Sequence, residues 1–155
     1  MTQTAPLTIS VEPWDGPDGA MLRAAQQSEL DVRYGCDDHE PGARPTAADS
    51  TVFLLARDSA AHPLGCGGLR RLDDTSGEVK RMYVVPERRG TGVATALLRA
   101  LEQQARTLGW TVLRLETGTA QPDAMRFYER EGYQAIESYG PYVGEPFSRC
   151  YQRTL

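Results

Sequence analysis

The sequence predicts an α/β (α+β) domain with one mixed sheet flanked by helices, not a fully alternating parallel fold. Three observations predict it. Strand-like segments follow one another between residues 51 and 85, joined by turns too short for crossover helices. Later strand-like segments alternate with segments of helical spacing. At 155 residues the chain is long enough for one real core, so residues 1–155 are read as a single domain.

Leu7 to Val11 alternates apolar and polar residues and reads as the first strand. Pro13, Gly16, Pro17 and Gly19 mark a turn. Ala20 to Leu30 then reads as a helix, with Met21, Ala24, Ala25 and Leu30 as its apolar face. Tyr34 to Ser50, rich in Gly, Pro and Asp, reads as a loop with room for a short helix. Thr51 to Ala56 is a compact apolar run, expected as a buried strand. Leu64 to Leu72 is the next strand, where Gly65, Gly67 and Gly68 either weaken pairing or mark a close backbone approach. Asp73 to Gly77 is a hairpin turn, and Glu78 to Val85 is the partner strand. Ala94, Leu97, Leu98, Leu101, Ala105 and Leu108 recur at helical spacing, with Gly109 placed for a left-handed cap. Trp110 to Thr117 is a strand and Asp123 to Arg130 a helix that Gly132 ends. Tyr133 to Ile136 and Phe147 to Gln152 complete the strands.

The segment Arg89-Gly90-Thr91-Gly92-Val93-Ala94 carries the functional signal. It lies between an apolar strand and the start of a long amphipathic helix. Small residues there leave backbone N–H groups bare, and orphan donors and macrodipole together favour an anion such as phosphate. Two glycines alone also suit a plain strand-to-helix turn. A dinucleotide fingerprint fits less well, although Glu116 could serve as its distant carboxylate. Thr95 stands where a third Gly or Ala is wanted, and Pro86-Glu87-Arg88-Arg89 separates the glycines from the strand. A nucleotide-triphosphate loop is ruled out, since no Gly-Lys-Ser/Thr follows.

The pattern Arg/Gln-x-x-Gly-x-Gly/Ala is met by Arg89, Gly92 and Ala94. Around it stand Val84-Val85-Pro86-Glu87-Arg88-Arg89-Gly90-Thr91-Gly92, then Leu113-Arg114-Leu115-Glu116-Thr117, then Phe127-Tyr128-Glu129-Arg130-Glu131-Gly132-Tyr133. With these residues the chain resembles the GNAT N-acetyltransferase superfamily, strongly from Glu78 to Tyr133 and less so upstream. The resemblance implies a mostly antiparallel central sheet of six to seven strands, about four helices and a splayed parallel strand pair. It implies transfer of an acetyl group from acetyl-CoA to a primary amine by direct attack on the thioester, with no metal. The other class of reading is a non-catalytic acyl-CoA or nucleotide-binding module.

The resemblance also distributes roles. Backbone N–H groups from Arg89 through Gly90, Thr91, Gly92 and Val93 to Ala94 would hold the pyrophosphate. The strand Met82-Tyr83-Val84 would pair with the pantetheine arm and polarise the thioester carbonyl. Arg88 and Arg89 read either as phosphate partners or as a solvated charge pair. Tyr128 matches the family's general acid, against a packing role beside Phe127. Glu78 is expected as the base, directly or through water, with Glu116 as the second candidate. Gln121 stands where many members carry Asn against the pantetheine arm.

Composition narrows the classes further. A net charge of −4 and a pI near 5.2 argue against general nucleic-acid binding. No apolar run approaches the ~20 residues that span a bilayer, and Met1 to Pro6 lacks the features of a secretory signal. Cys36, Cys66 and Cys150 form no framework and suit a reducing, cytoplasmic setting. His39 and His62 show no ligand spacing, so no metal is assigned. Residues 29–49 hold six acids (Glu29, Asp31, Asp37, Asp38, Glu40, Asp49) and two bases (Arg33, Arg44). They read either as a surface that attracts a cationic small-molecule or peptide amine, or as a solvated loop. Tyr139, Tyr142 and Phe147 could wall the acceptor pocket or form a homodimer contact, the commonest assembly.

Overall fold

A computed structural model describes residues 6–37 and 39–155. Asp38 of the acidic stretch and residues 1–5 of the N-terminus lie outside the described residues. Seven strands form one sheet: β1 (Thr8–Val11), β2 (Ser50–Arg57), β3 (Pro63–Arg71), β4 (Ser76–Val84), β5 (Val112–Gly118), β6 (Gln134–Ile136) and β7 (Ser148–Thr154). Their spatial order is β1-β2-β3-β4-β5-β7-β6, with every neighbouring pair antiparallel except β4 and β5. Three α-helices, α1 (Pro17–Tyr34), α2 (Val93–Thr107) and α3 (Pro122–Arg130), flank it, with 3₁₀ turns at Pro86–Arg88 and Gly140–Tyr142. The fold is therefore the mixed, mostly antiparallel sheet that the sequence predicts. The described stretch between α1 and β2 holds no further helix.

The apolar run in β2 is buried on both faces. Val52, Leu54 and Ala56 turn toward α2 and α3, while Phe53 and Leu55 turn toward Leu22 of α1. This alternation is the period-two geometry of a strand. On α2, Leu97, Leu98, Leu101 and Ala105 are fully buried. Each buried leucine contributes about 1.5–3 kcal/mol to folding, which is why this helix was legible from spacing alone. Gly67 of β3 marks a close approach: a Cβ there would sit 2.9 Å from Leu101 of α2 and 2.6 Å from Met82 of β4.

The first helix differs from its prediction. It starts at Pro17, an N1 position that proline tolerates because its missing N–H would be orphaned anyway. It ends at Gly35, which is left-handed at φ 74°. Its buried face runs through Gly19 and Leu22, not Met21, which is 52% exposed. Arg23, next on that face, lies 3.7 Å over the Trp14 ring. Ala24 and Ala25 face solvent.

The parallel pair positions the site. β4 and β5 are paired only from Ser76↔Val112 to Glu78↔Arg114. Beyond Glu78 the two strands part, and the edge of β4 from Val79 to Val84 has no strand beside it.

Candidate active site

Beyond β4 the Pro86–Arg88 turn leads into Gly90 at φ 75° and Gly92 at φ 95°, both left-handed. The first bond of the helix runs from the Ala96 N–H to Gly92 O at 3.1 Å. From Gly90 to Thr95, no backbone N–H donates to a carbonyl among the described residues. Arg89, expected within this bare run, is outside it: its N–H closes the 3₁₀ turn onto Pro86 O at 3.3 Å. Nothing stands within 4 Å of where a Cβ on Gly90 or Gly92 would lie, so the cradle is open.

The cradle opens into a cavity of about 400 Å³ whose wall includes Met82, Tyr83, Val84, Gly90, Gly92 and Ala94. Thr91 and Val93 do not line it; the Thr91 hydroxyl turns back to Arg88 O, and the Val93 side chain is core. The Arg89 guanidinium is engaged by the protein itself. It donates to Val84 O at 2.9 Å and to Glu29 at 2.8 Å. Arg88 also lines the cavity and has no ion-pair partner among the described residues.

The open edge of β4 has a defined polarity. Val85 N–H bonds to Leu64 O on β3, whereas Val84 O accepts from Arg89 and Met82 O accepts from Gln26 at 2.9 Å. In an extended strand the N–H and C=O of one residue point to the same side, so Met82 and Val84 face the gap. Tyr83 pairs toward β3 opposite Cys66.

A second cavity, of about 120 Å³, lies against the first. Gln26, Leu30, Met82, Gln121, Ala124 and Tyr128 line both. Gln121 donates its amide to Tyr34 Oη at 3.1 Å. Tyr128 packs edge-on to Phe127 at 5.1 Å and to Tyr133 at 5.8 Å. Its hydroxyl has no hydrogen-bond partner among the described residues, and burial pushes its pKa well up, keeping it protonated.

The two carboxylates differ sharply. Glu78 lines neither cavity and is 1% exposed. It pairs with Arg70 at 2.9 Å and accepts the Tyr139 and Tyr142 hydroxyls at 2.6 and 2.8 Å. Three donors on a buried carboxylate favour an anchor over a base in contact with substrate. Glu116 lines the second cavity, where burial raises its pKa and a 2.7 Å bond from Ser148 Oγ partly opposes that rise. Tyr139 and Tyr142 therefore sit behind the pocket, holding Glu78, while Phe147 is 70% exposed.

Lys80 and Arg81, which sequence reasoning missed, line the second cavity together with Glu40 of the acidic stretch. Two adjacent cations between the apolar residues Val79 and Met82 of β4 were the available signal. Cys66 is buried beneath the sheet with its thiol pushed up to about 12, too high for a nucleophile. No group of three His, Cys, Asp or Glu suited to a metal ion occurs among the described residues, nor any helix long and apolar enough to cross a membrane.

A splayed parallel pair beside a bare helix N-terminus is the arrangement that the resemblance to acyl-CoA-dependent transferases implies. The comparisons agree: the model of the acetyltransferase (GNAT) family matches residues 20–133, and the chain belongs to that family. It is an acetyl-CoA-dependent N-acetyltransferase. An IAA acetyltransferase of Azospirillum brasilense is 36% identical over 104 residues, 66% of this chain and 67% of that protein. Three other curated relatives align over between 55% and 58% of their own length. A Klebsiella pneumoniae structure, provisionally assigned as an acyl-CoA N-acyltransferase, superposes with a TM-score of 0.83 at 30% identity, covering 96% of this chain and 97% of that one. A GNAT family acetyltransferase from Elizabethkingia anophelis with acetyl-CoA bound shares the fold, with a TM-score of 0.70 at 16% identity and coverage of 96% and 98%.

Proposed function

We propose that the chain transfers the acetyl group of acetyl-CoA to a primary amine by direct attack, with Tyr128 as acid and Glu116 as base. One observation carries the reading. Gly90, Gly92, Ala94 and Thr95 of the unpaired N–H run, Met82 and Val84 of the open edge of β4, and Tyr128, whose hydroxyl has no partner among the described residues, line two cavities that share six residues.

These groups fit the cofactor's chemistry. The bare N–H groups suit a pyrophosphate, with Arg88 near enough to add charge. Met82 and Val84 offer strand-like pairing to an amide-bearing arm, as an added strand would use it. A free N–H on that edge stabilises the oxyanion that develops on the thioester carbonyl. Gln121 offers an amide from the facing wall.

Glu116 takes a proton from the amine as the nitrogen bonds to the carbonyl carbon. Tyr128 gives its proton to sulfur as the C–S bond breaks. The products are an N-acetyl amine and the free thiol of CoA, and the proton on Glu116 returns to Tyr128 through solvent. Glu78 anchors the floor behind this chemistry.

The test is thiol release from acetyl-CoA across a panel of amines, with wild type beside Tyr128→Phe. Amine-dependent release that collapses in the variant supports the reading. Saturable CoA binding with no release for any amine would replace it with the binding-module reading. A larger thermal shift with NAD than with CoA would revive the dinucleotide alternative.

A further inference from the structure

Consecutive residues of a strand point to opposite faces of the sheet. Lys80 and Arg81 break that rule: both reach the same carboxylate, Glu40, each at 2.9 Å. The cause is a bulge. The register of β4 against β3 jumps from Cys66↔Tyr83 to Gly68↔Lys80, and Arg81 adopts a left-handed φ of 60°. Such strain on a non-glycine residue survives only where the surroundings hold it, and it gathers at binding sites. Here Cys66 Sγ donates to Arg81 O at 3.3 Å, and Gln26 holds the next carbonyl, Met82 O, at 2.9 Å.

The bulge thus turns two adjacent cations into the second cavity, where one carboxylate meets them. Lys80 also bonds Tyr142 Oη at 3.2 Å. Arg81 uses only one terminal nitrogen on Glu40, and its other guanidinium N–H groups have no partner among the described residues. A planar guanidinium with open donors matches a second carboxylate. Glu116, the proposed base, and Tyr128 line the same cavity.

Four of the six acids between residues 29 and 49 are already held by basic side chains of the protein, which leaves fewer of them to draw a polycationic acceptor. Glu29 is held by Arg89, Asp31 by His39, Asp49 by Arg70 and Glu40 by Lys80 and Arg81. At about 120 Å³ the cavity holds only a few waters' worth of volume, each taking about 30 Å³ in the liquid. That space is enough for a small amino acid beside Arg81 and Lys80.

We propose that the acceptor is a small zwitterion, an amine carrying its own carboxylate, with that carboxylate taken by Arg81 and Lys80. The proposal rests on the acetyltransferase reading and adds the substrate class. It makes Arg81 a specificity residue beside the chemistry.

The experiment compares matched acceptors: alanine, alaninamide and ethylamine. Two readouts are used, thiol release and calorimetric binding to the CoA-loaded protein. Wild type should prefer alanine over alaninamide by about tenfold or more, the scale of one lost charged hydrogen bond. In the double variant Arg81→Gln with Glu40→Gln, which keeps Lys80, that ratio should fall several-fold while CoA affinity holds. Arg81→Lys should keep part of the preference. A ratio does not depend on the fraction folded, so weakened folding leaves the outcome readable. A wild-type ratio near or below one, in release and in binding, would overturn the proposal, as would a ratio unchanged by the double variant. Carboxylate-selective binding without thiol release from any acceptor would instead overturn the enzymatic reading and leave the site standing.

Discussion

Glu78 accepts a 2.8 Å hydrogen bond from the Tyr142 hydroxyl across a sequence separation of 64 residues. That bond joins the start of the β4/β5 splay to the segment before β7. With Arg70 at 2.9 Å and Tyr139 at 2.6 Å it turns a carboxylate into a four-residue anchor. Tyr142→Phe removes one donor from this buried group and should cost about 1.5–3 kcal/mol, the range for hydrogen bonds to charged partners. Urea denaturation reads it as a lower midpoint at an unchanged slope. Glu78→Gln should likewise lower the midpoint, while the folded protein keeps most of its kcat. Loss of kcat with stability intact would restore Glu78 as the base.

Tyr128 carries the proton for the leaving sulfur in this reading. Tyr128→Phe keeps the edge-on packing against Phe127 and Tyr133 and loses only the hydroxyl, which has no partner among the described residues. Stability should therefore barely change. The kcat for thiol release should drop by about 10²–10⁴, the usual worth of a positioned acid, with KM for acetyl-CoA little altered. Steady-state rates beside a thermal melt separate this from a packing role, which would lower the melting temperature and spare the rate.

The pH profile should report Glu116. Burial lifts its carboxyl above the ordinary range, and Ser148 only partly opposes it. A base acts deprotonated, so kcat/KM should fall as pH drops through that raised value. Glu116→Gln should flatten this acid limb and lower the rate throughout. Stability moves the other way. The folded chain holds this proton more tightly than the unfolded one, so the contribution to stability is full below the unfolded value and is lost as pH rises through the folded one. The Gln variant should therefore be more stable than wild type at alkaline pH, with the advantage gone in acid. Thermal melts across pH check the sign.

How much of this was legible follows the physics of each part. Leu97, Leu98 and Leu101 announce α2 because a helix buried on one face must repeat apolar residues at its own period. Gly90 and Gly92 announce the cradle because only glycine takes left-handed backbone cheaply. Tyr128 was reached through resemblance, since spacing could not separate it from a packing aromatic. The bulge at Arg81 was not legible: it depends on register against β3, a property of two strands, not of one. Nor was the anchoring of Glu78, whose partners Tyr139 and Tyr142 lie in a turn-rich segment far along the chain. The phase of α1 was misread because Arg23 covers Trp14 on the inner side, where a purely apolar count looks for Met21.

The cradle itself can be probed at Gly92. Its φ of 95° disfavours any Cβ, although the space around it is open. Gly92→Ala should therefore act through backbone strain, about 1–2 kcal/mol, not through collision. The strain is relieved by turning the loop, which would misalign the N–H groups from Gly90 to Thr95. CoA affinity should weaken by roughly tenfold or more, each tenfold being about 1.4 kcal/mol. Calorimetric titration with CoA measures it directly, and an unchanged Kd would remove the cradle from cofactor binding.

Away from the chemistry, Glu102 offers a contrast with Glu78. It sits on α2 at 1% exposure and accepts from Arg99 at 2.9 Å, Arg153 at 3.0 Å and Tyr133 at 2.9 Å. Its cationic partners are less buried, with side chains 42% and 31% exposed, so they can turn to water if the carboxylate is removed. Glu102 cannot turn to water if they are removed. The asymmetry makes a directional forecast. The double variant Arg99→Ala with Arg153→Ala should cost about 3–5 kcal/mol, the range for stranding a buried charge. Glu102→Leu should cost clearly less, because it leaves no buried ion and fills the space with apolar volume. Urea denaturation of the two proteins gives the order. Because none of these residues lines either cavity, the folded fraction of both should keep the wild-type affinity for CoA.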